Sequence, residues 1–172
     1  RKIADHLFAG GPDSFDPDKI DRHHPVKILR LDREVEVPRY FPPVLMATVH
    51  TAHGDSPTEA DIRAWLAEGL PTLHSGQDLL VLCSEGNNRS CTVASVLLAV
   101  HTRRPWGKIL EELHVLFLTQ GGHNWWPYQH WQVAITRHWM KVVPSVPSVP
   151  APSAVKSVPP VSAPPSTFRR SR

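Results

Sequence analysis

Cysteine is scarce in this chain of 172 residues, which contains only Cys83 and Cys91. Two cysteines so close together give no disulfide framework, and this favours a reducing, cytoplasmic compartment. Long apolar runs are also missing, because Val93–Val100 is too short to cross a bilayer and is interrupted by Ser95. No signal-peptide pattern opens the sequence. We therefore expect a cytoplasmic monomer that is not inserted in a membrane.

Acidic residues are missing from one end of the chain. The formal charge is +3, from 19 basic and 16 acidic residues. Residues 144–172 hold four of the basic residues and none of the acidic ones, so residues 1–143 carry a net charge of −1. A nearly neutral main body argues against a dedicated nucleic-acid-binding protein.

Proline marks the end of the folded part. Eight of the 18 prolines lie between positions 144 and 165, in the stretch that begins PSVPSVPAPS. Such a segment cannot form helices or sheet ladders and has little to bury. The composition predicts one domain over residues 1–143 and a disordered or polyproline-like tail over 144–172. The tail is either a solvated spacer or a ligand for a proline-binding module.

Strand and helix patterns alternate over the first 143 residues. Short apolar runs predict strands at Leu7–Gly10, Val26–Leu31, Val44–Thr51 and Leu79–Leu82. The order Ser56-Pro57-Thr58-Glu59 is typical of a capping box with Ser56 as the N-cap, and its helix should bend or end near Pro71. Helical spacing predicts further helices over Thr92–His101, Trp106–Thr119 and Pro127–Lys141. The pattern indicates an α/β fold with a mostly parallel sheet of four to five strands.

The stretch LCSEGNNRSCT, residues 82–92, combines a thiol with an anion-binding loop. Cys83 ends a strand, a polar loop follows, and a helix then begins, so loop N–H groups and the helix N-terminus converge on the sulfur. Gly86 allows a sharp turn. The planar guanidinium of Arg89 suits two phosphate oxygens, and the Ser90 hydroxyl is placed to reach the sulfur.

This stretch resembles the Cys-x5-Arg-Ser/Thr signature of the protein tyrosine phosphatase superfamily, and small prokaryotic-type dual-specificity members look most similar. Ile3–Gly10 resembles the opening of those domains, and Pro127 with Trp131 and Ile135 resembles their last helix. The resemblance implies a phosphatase that uses no metal or other cofactor. Cys83 would be the nucleophile, Arg89 would bind phosphate and Ser90 would help the sulfur to leave. The phosphate-binding residues would be Ser84, Glu85, Gly86, Asn87, Asn88 and Arg89.

The family mechanism also uses a general acid, usually an aspartate on a loop about 30 residues before the cysteine. Asp55 lies 28 residues before Cys83 and follows a predicted strand. Asp61 is the alternative, although it falls inside the predicted helix. The expected substrates are proteins phosphorylated on tyrosine, and also on serine or threonine. A phosphatase-like domain that only binds phosphorylated partners is the alternative function.

The sequence departs from the family pattern at two positions. Leu82 stands where a histidine usually precedes the cysteine, and Tyr128 replaces the asparagine that usually follows the last proline. His123 and Asn124 are candidates to replace the contact that this asparagine makes.

Other residues have simpler interpretations. Cys91 is expected in the core, or else as a partner that traps oxidised Cys83 as a disulfide. Glu85 should point outward, because an acid is unfavourable beside phosphate. His50-x-x-His53 lacks further ligands, so we expect no metal site. Trp125 and Trp126 should lie at the substrate entrance.

Overall fold

The computed structural model describes residues 1–15, 27–37, 45–51, 54–119 and 125–143. Its strands form one sheet with the order β1-β2-β5-β3-β4. All neighbouring pairs are parallel except β1 and β2, which confirms the predicted α/β fold with a mostly parallel sheet. The strands are β1 (Lys2–Ala4), β2 (Leu7–Gly10), β3 (Lys27–Arg30), β4 (Leu45–Thr48) and β5 (Leu79–Leu82).

Helices occupy most of the remaining described residues. They are α1 (Glu59–His74), α2 (Asn88–Thr102), α3 (Trp106–Thr119) and α4 (Gln129–Val142), and a short 3-10 helix spans Pro12–Phe15. Helix α3 has the predicted bounds. Helix α2 begins four residues before the predicted Thr92, so its first turn already contains Arg89 and Ser90. Helix α1 continues three residues beyond Pro71, to His74.

The start of α1 differs from the prediction. Thr58 is the N-cap instead of Ser56, and Asp61 takes the position assigned to Glu59 in the capping box. The Asp61 carboxylate accepts hydrogen bonds from the N–H and the hydroxyl of Thr58, both at 2.7 Å. The cap shifts by two residues because the short Asp61 side chain closes the box, and Glu59 is then free to pair with Arg63 one turn later (2.8 Å).

The sheet separates a large core from a small one. In β5, Leu79 and Val81 pack with the helices, whereas Leu80 and Leu82 pack in the smaller cluster on the opposite face. This alternation follows from the two-residue period of a strand. The helices are joined to one another in the large core, where Trp65 of α1 stacks on Trp131 of α4 with ring centroids 5.7 Å apart. Each fully buried aromatic side chain contributes roughly 1.5–3 kcal/mol.

Several predictions fall outside the described residues. The proline-rich tail 144–172, His53, His123 and Asn124 are among them, so those interpretations stay predictions. Among the described helices, none has the combination of length and apolar character that crossing a membrane requires.

Candidate active site

The carboxyl edge of the parallel strands is where α/β folds place their ligand sites. Here Asp32 follows β3 by two residues and Cys83 follows β5 directly. The Cys83 N–H donates to the carbonyl of Gly10 at the end of β2 (3.1 Å), and the Leu31 N–H donates to the carbonyl of Leu82 (2.8 Å). These bonds keep the three strand ends level, so the groups that follow them come together at one place.

Two glycines let the end of β2 approach the loop after β5. A Cβ added to Gly86 would lie 2.2 Å from the backbone nitrogen of Gly11, and one added to Gly11 would lie 2.7 Å from the nitrogen of Gly86. Gly86 also has a φ of +65°, which favours glycine. Any side chain at either position would therefore push the two backbones apart.

The loop between β5 and α2 delivers the helix N-terminus to the site. Asn87 is the N-cap of α2, and its side chain makes no capping hydrogen bond. The first N–H groups of the helix are therefore not capped by a side chain, and they carry the positive end of the helix dipole. Such an end is suited to bind an oxyanion.

Arg89 is nearly buried, with 4% of its surface exposed, and it is held by three groups. Its Nη1 donates to the Thr51 carbonyl (3.1 Å), and its Nη2 donates to Asp32 (3.1 Å) and to the Ser84 hydroxyl (2.6 Å). These bonds use three of the five N–H donors of a guanidinium. The two unused donors, Nε–H and one Nη1–H, lie on different edges of the guanidinium, so a bidentate phosphate contact requires Nη2 to release one of its two present partners.

Asp32 is a site residue that the sequence analysis missed. Burial alone would raise the pKa of its carboxyl, but the Glu34 N–H, the Arg89 guanidinium and the Ser84 hydroxyl bond to the carboxylate and hold that pKa below its usual value. Asp32 is therefore a charged partner that fixes Arg89. The signal that could have found it is an acid directly beyond a strand, at the edge where the cysteine loop begins.

The thiol and the serine hydroxyl meet inside the loop. Cys83 Sγ lies 3.4 Å from Ser90 Oγ, as the loop motif predicted. Ser90 has no exposed surface, and Cys83 has 1%. The sulfur is thus nearly covered, so a phosphate group reaches it only if neighbouring groups move apart.

Cys91, next to Ser90 in the first turn of α2, packs in the large core with no exposed surface. Burial raises the pKa of its thiol to about 11, so it is neutral at physiological pH. A neutral buried thiol is a poor nucleophile, which agrees with the expectation that Cys91 packs in the core.

Asp55 and Asp61 have different environments. Asp61 is engaged in the cap of α1, and this use of its carboxylate leaves Asp55 as the better candidate acid. The Asp55 side chain is exposed, and its backbone carbonyl accepts a hydrogen bond from Trp131 Nε1 (2.8 Å). Within the described residues, no hydrogen bond or ion pair joins its carboxylate to the cysteine loop.

The outer residues of the loop contact two neighbouring segments. The Asn88 side chain donates to the Trp126 carbonyl (3.1 Å), and the Asn87 side chain accepts from Arg1 (3.3 Å). Glu85 is exposed, as expected. Burial, and to a smaller extent the negative charge of Glu85, raise the pKa of Tyr128, so Tyr128 lies close to the loop.

The two neighbouring tryptophans were expected together at the substrate entrance, and for one of them this was wrong. Trp125 is 2% exposed and packs edge-on against Phe117, with centroids 5.1 Å apart. Trp126 is 43% exposed and lies beside the loop through its contact with Asn88. Two consecutive residues in an extended segment point to opposite sides, so only one of them can face the solvent.

Leu82, at the position where the family usually has a histidine, is completely buried on the other face of the sheet from Cys83. It packs with Phe8, Ile28 and Val35 in the smaller core. An apolar residue here gives packing and supplies no hydrogen bond to the loop. Among the described residues, no cluster of three histidine, cysteine, aspartate or glutamate side chains is arranged to hold a metal.

Known structures share this arrangement of strands and helices. Human DUSP28 matches with 16% sequence identity and a TM-score of 0.67, over 84% of this chain and 99% of DUSP28. DUSP15 matches with 17% identity and a TM-score of 0.66, over 83% and 88% of the two chains. The chain has the fold of a dual-specificity phosphatase.

The dual-specificity phosphatase fold also occurs in a protein described only as phosphatase-like. The human tyrosine phosphatase-like serine/threonine/tyrosine-interacting protein matches with 13% identity and a TM-score of 0.64, over 81% of this chain and 95% of that one. No protein-family model matches the sequence, and a comparison with curated proteins finds no match. The likeness therefore lies in the fold, and activity has to be argued from the site.

Proposed function

We propose that this protein is a phosphatase that hydrolyses phosphotyrosine, and also phosphoserine and phosphothreonine, in protein substrates. The observation that carries the proposal is the position of Cys83 Sγ beside Ser90 Oγ (3.4 Å), on a loop whose Arg89 is fixed by Asp32. Nucleophile, anion-binding group and hydroxyl donor then belong to a single strand–loop–helix unit. The fold shared with dual-specificity phosphatases supports this assignment.

In the first step, the Cys83 thiolate attacks phosphorus and the bond to the leaving oxygen breaks. Arg89, whose Nη2 exchanges one of its present partners for phosphate, and the N–H groups at the start of α2 bind the equatorial oxygens. Asp55, in its protonated form, gives its proton to the departing phenol or alcohol. The product is a cysteinyl-phosphate.

In the second step, Asp55 accepts a proton from a water molecule that attacks the phosphorus. The sulfur–phosphorus bond breaks, and inorganic phosphate is released. The Ser90 hydroxyl donates a hydrogen bond to the departing sulfur, which stabilises the thiolate as it forms. No step in this sequence calls for a metal, because the loop supplies the positive charge.

The test is hydrolysis of p-nitrophenyl phosphate in the presence of a chelator. We expect turnover that vanadate inhibits, and we expect Cys83→Ser to abolish turnover while phosphate still binds. Cys91→Ala is the matched control, because it removes the other buried thiol, which is neutral at physiological pH, and it should retain turnover. Loss of turnover in the control and not in Cys83→Ser would contradict the assignment.

The alternative function is a phosphatase-like domain that binds phosphorylated partners without hydrolysing them. The 1% exposure of Cys83 and the leucine before it favour this alternative. A wild-type protein that binds phosphate but shows no turnover, and whose Cys83 resists alkylation by iodoacetamide, would establish it. Alkylation of Cys83 that vanadate prevents would support the enzyme.

A further inference from the structure

A cavity of about 470 Å³ lies between the segment that precedes α1 and the exposed face of α4. Its lining combines hydrogen-bond donors with an apolar floor. The residues are Ser56, Gln129, His130, Val133, Ala134 and Arg137. This size suits a few side chains of a peptide.

The lining of the cavity carries one formal charge, on Arg137. Arg137 is exposed, and in the described part of the chain no acidic side chain pairs with it. Of the nearby acids, Glu59 is paired with Arg63 (2.8 Å) and lies 3.9 Å from His138, and the exposed Asp55 is attached through its carbonyl to Trp131, six residues before Arg137 on α4. A carboxylate that enters the cavity would therefore find Arg137 available at the end of the cavity farther from Asp55.

The cavity begins beside Asp55, the proposed acid. Ser56 directly follows Asp55, whose carbonyl accepts the hydrogen bond from Trp131 on α4. Tyr128, which lies near the loop, stacks on His130 with ring centroids 5.6 Å apart. Along α4, the seven residues from His130 to Arg137 correspond to a rise of about 10 Å. An extended peptide covers that distance in about three residues.

We propose that this cavity docks an acidic residue of the phosphorylated protein substrate, several positions from the phosphorylated residue. Its carboxylate bonds to Arg137, and its apolar part contacts Val133 and Ala134. The tail of the same chain is a poor occupant, because residues 144–172 contain four basic residues and no acid. This inference rests on the proposed function, and it adds a preference for acidic substrates.

The experiment uses phosphotyrosine peptides of equal length that carry one glutamate or one lysine at successive positions around the phosphotyrosine. At one or two positions, we expect kcat/KM to be about five-fold higher with glutamate, since an exposed ion pair contributes at most ~1 kcal/mol. Arg137→Glu should reverse the preference at those positions. The expected rise in kcat/KM for the lysine peptide cannot come from misfolding, because misfolding would lower kcat/KM for both peptides.

Lys108→Glu is the control, since it makes the same change in net charge on a different helix, α3, and should keep the glutamate preference. A wild type without any positional preference, or a Lys108→Glu variant that also reverses it, would overturn the docking site. Turnover of p-nitrophenyl phosphate, which has no flanking residues, tests the proposed function separately. If p-nitrophenyl phosphate is not hydrolysed, the binding affinities of the same peptides test the docking site. A preference for glutamate over lysine at the same positions would support it, and its absence would overturn it.

Discussion

The residues proposed to carry the reaction lie in two segments that are held in different ways. The loop that starts at Cys83 is continuous with β5 and α2, and Cys83, Arg89 and Ser90 are each at most 4% exposed. The segment around Asp55 is exposed, and the described contact that attaches Asp55 is a backbone hydrogen bond from Trp131. The proposed phosphate site is therefore built on the core, whereas the proposed proton transfer depends on a surface segment.

This difference has an energetic consequence. Moving the cysteine loop requires breaking buried hydrogen bonds and the Arg89–Asp32 ion pair, whereas moving Asp55 requires little more than one hydrogen bond. Segments with few buried contacts open at low free energy. We expect substitutions in the loop to remove function outright and substitutions around Asp55 to reduce it in steps.

The largest effect is expected for Arg89→Ala. Removing one donor from an oxyanion site typically costs ~10²–10³ in kcat, and this change removes every donor of the guanidinium, so we expect a loss of ~10³ or more. Arg89→Lys should not restore turnover, because a single ammonium cannot hold Asp32 and bind two phosphate oxygens together. Steady-state kinetics with p-nitrophenyl phosphate measures both. Near-normal turnover in Arg89→Lys would show that the guanidinium geometry is unimportant.

A smaller effect is expected for Asp55→Asn, which removes a proton donor and leaves the phosphate site intact. General acid catalysis is worth about 10²–10⁴, so kcat should fall by ~10² or more and the pH–rate profile should lose its dependence on this acid. The loss should be greater for phosphoserine substrates, because the serine oxygen is a poorer leaving group than p-nitrophenolate.

Asp61→Asn is the matched control for Asp55→Asn. It disturbs the capping box of α1 and should lower the free energy of unfolding by about 1 kcal/mol while changing kcat little. The opposite result, with a large loss of kcat in Asp61→Asn and none in Asp55→Asn, would exchange the two roles. Thermal unfolding and pH–rate profiles of the two variants separate the outcomes.

Asp32→Asn should mainly affect stability. Removing one partner of a buried ion pair typically costs about 3–5 kcal/mol, because the other charge is left uncompensated. Vanadate binding supplies a new negative charge beside Arg89, so it should raise the Tm of this variant more than that of the wild type. Equal shifts in the two proteins would mean that Asp32 does not control the charge of the site.

The same variant gives a pH prediction. The pKa of Asp32 is lowered in the folded state, so the carboxylate contributes stability above its unfolded value, about 3.9. That contribution is lost as the pH falls through the lower folded value. The difference in Tm between wild type and Asp32→Asn should therefore be largest near neutral pH and shrink below pH ~4.

Features that depend on neighbouring residues in the sequence were predicted, whereas a contact between distant residues was not. The cysteine loop was predicted because one local motif contains Cys83, Arg89 and Ser90. The sheet was found because buried strands such as Leu79–Leu82 are continuous apolar runs. Asp32 was missed because its position after a strand marks it only as a residue at the sheet edge, and its pairing with Arg89, 57 positions away, appears only in the fold.

The smallest expected effect concerns the bond that attaches Asp55. Trp131→Phe removes the Nε1 donor to the Asp55 carbonyl and keeps most of the aromatic stack on Trp65. A neutral hydrogen bond contributes about 1 kcal/mol, so Asp55 should spend less time in its working position and kcat should fall by about three- to five-fold. When Asp55 is already replaced by asparagine, Trp131→Phe should cause no further loss of kcat, because an amide has no acidic proton to deliver from any position. A double-mutant cycle measures this coupling. Additive losses would show that Trp131 acts through the core, and the contrast between a fixed loop and a lightly attached acid would then fail.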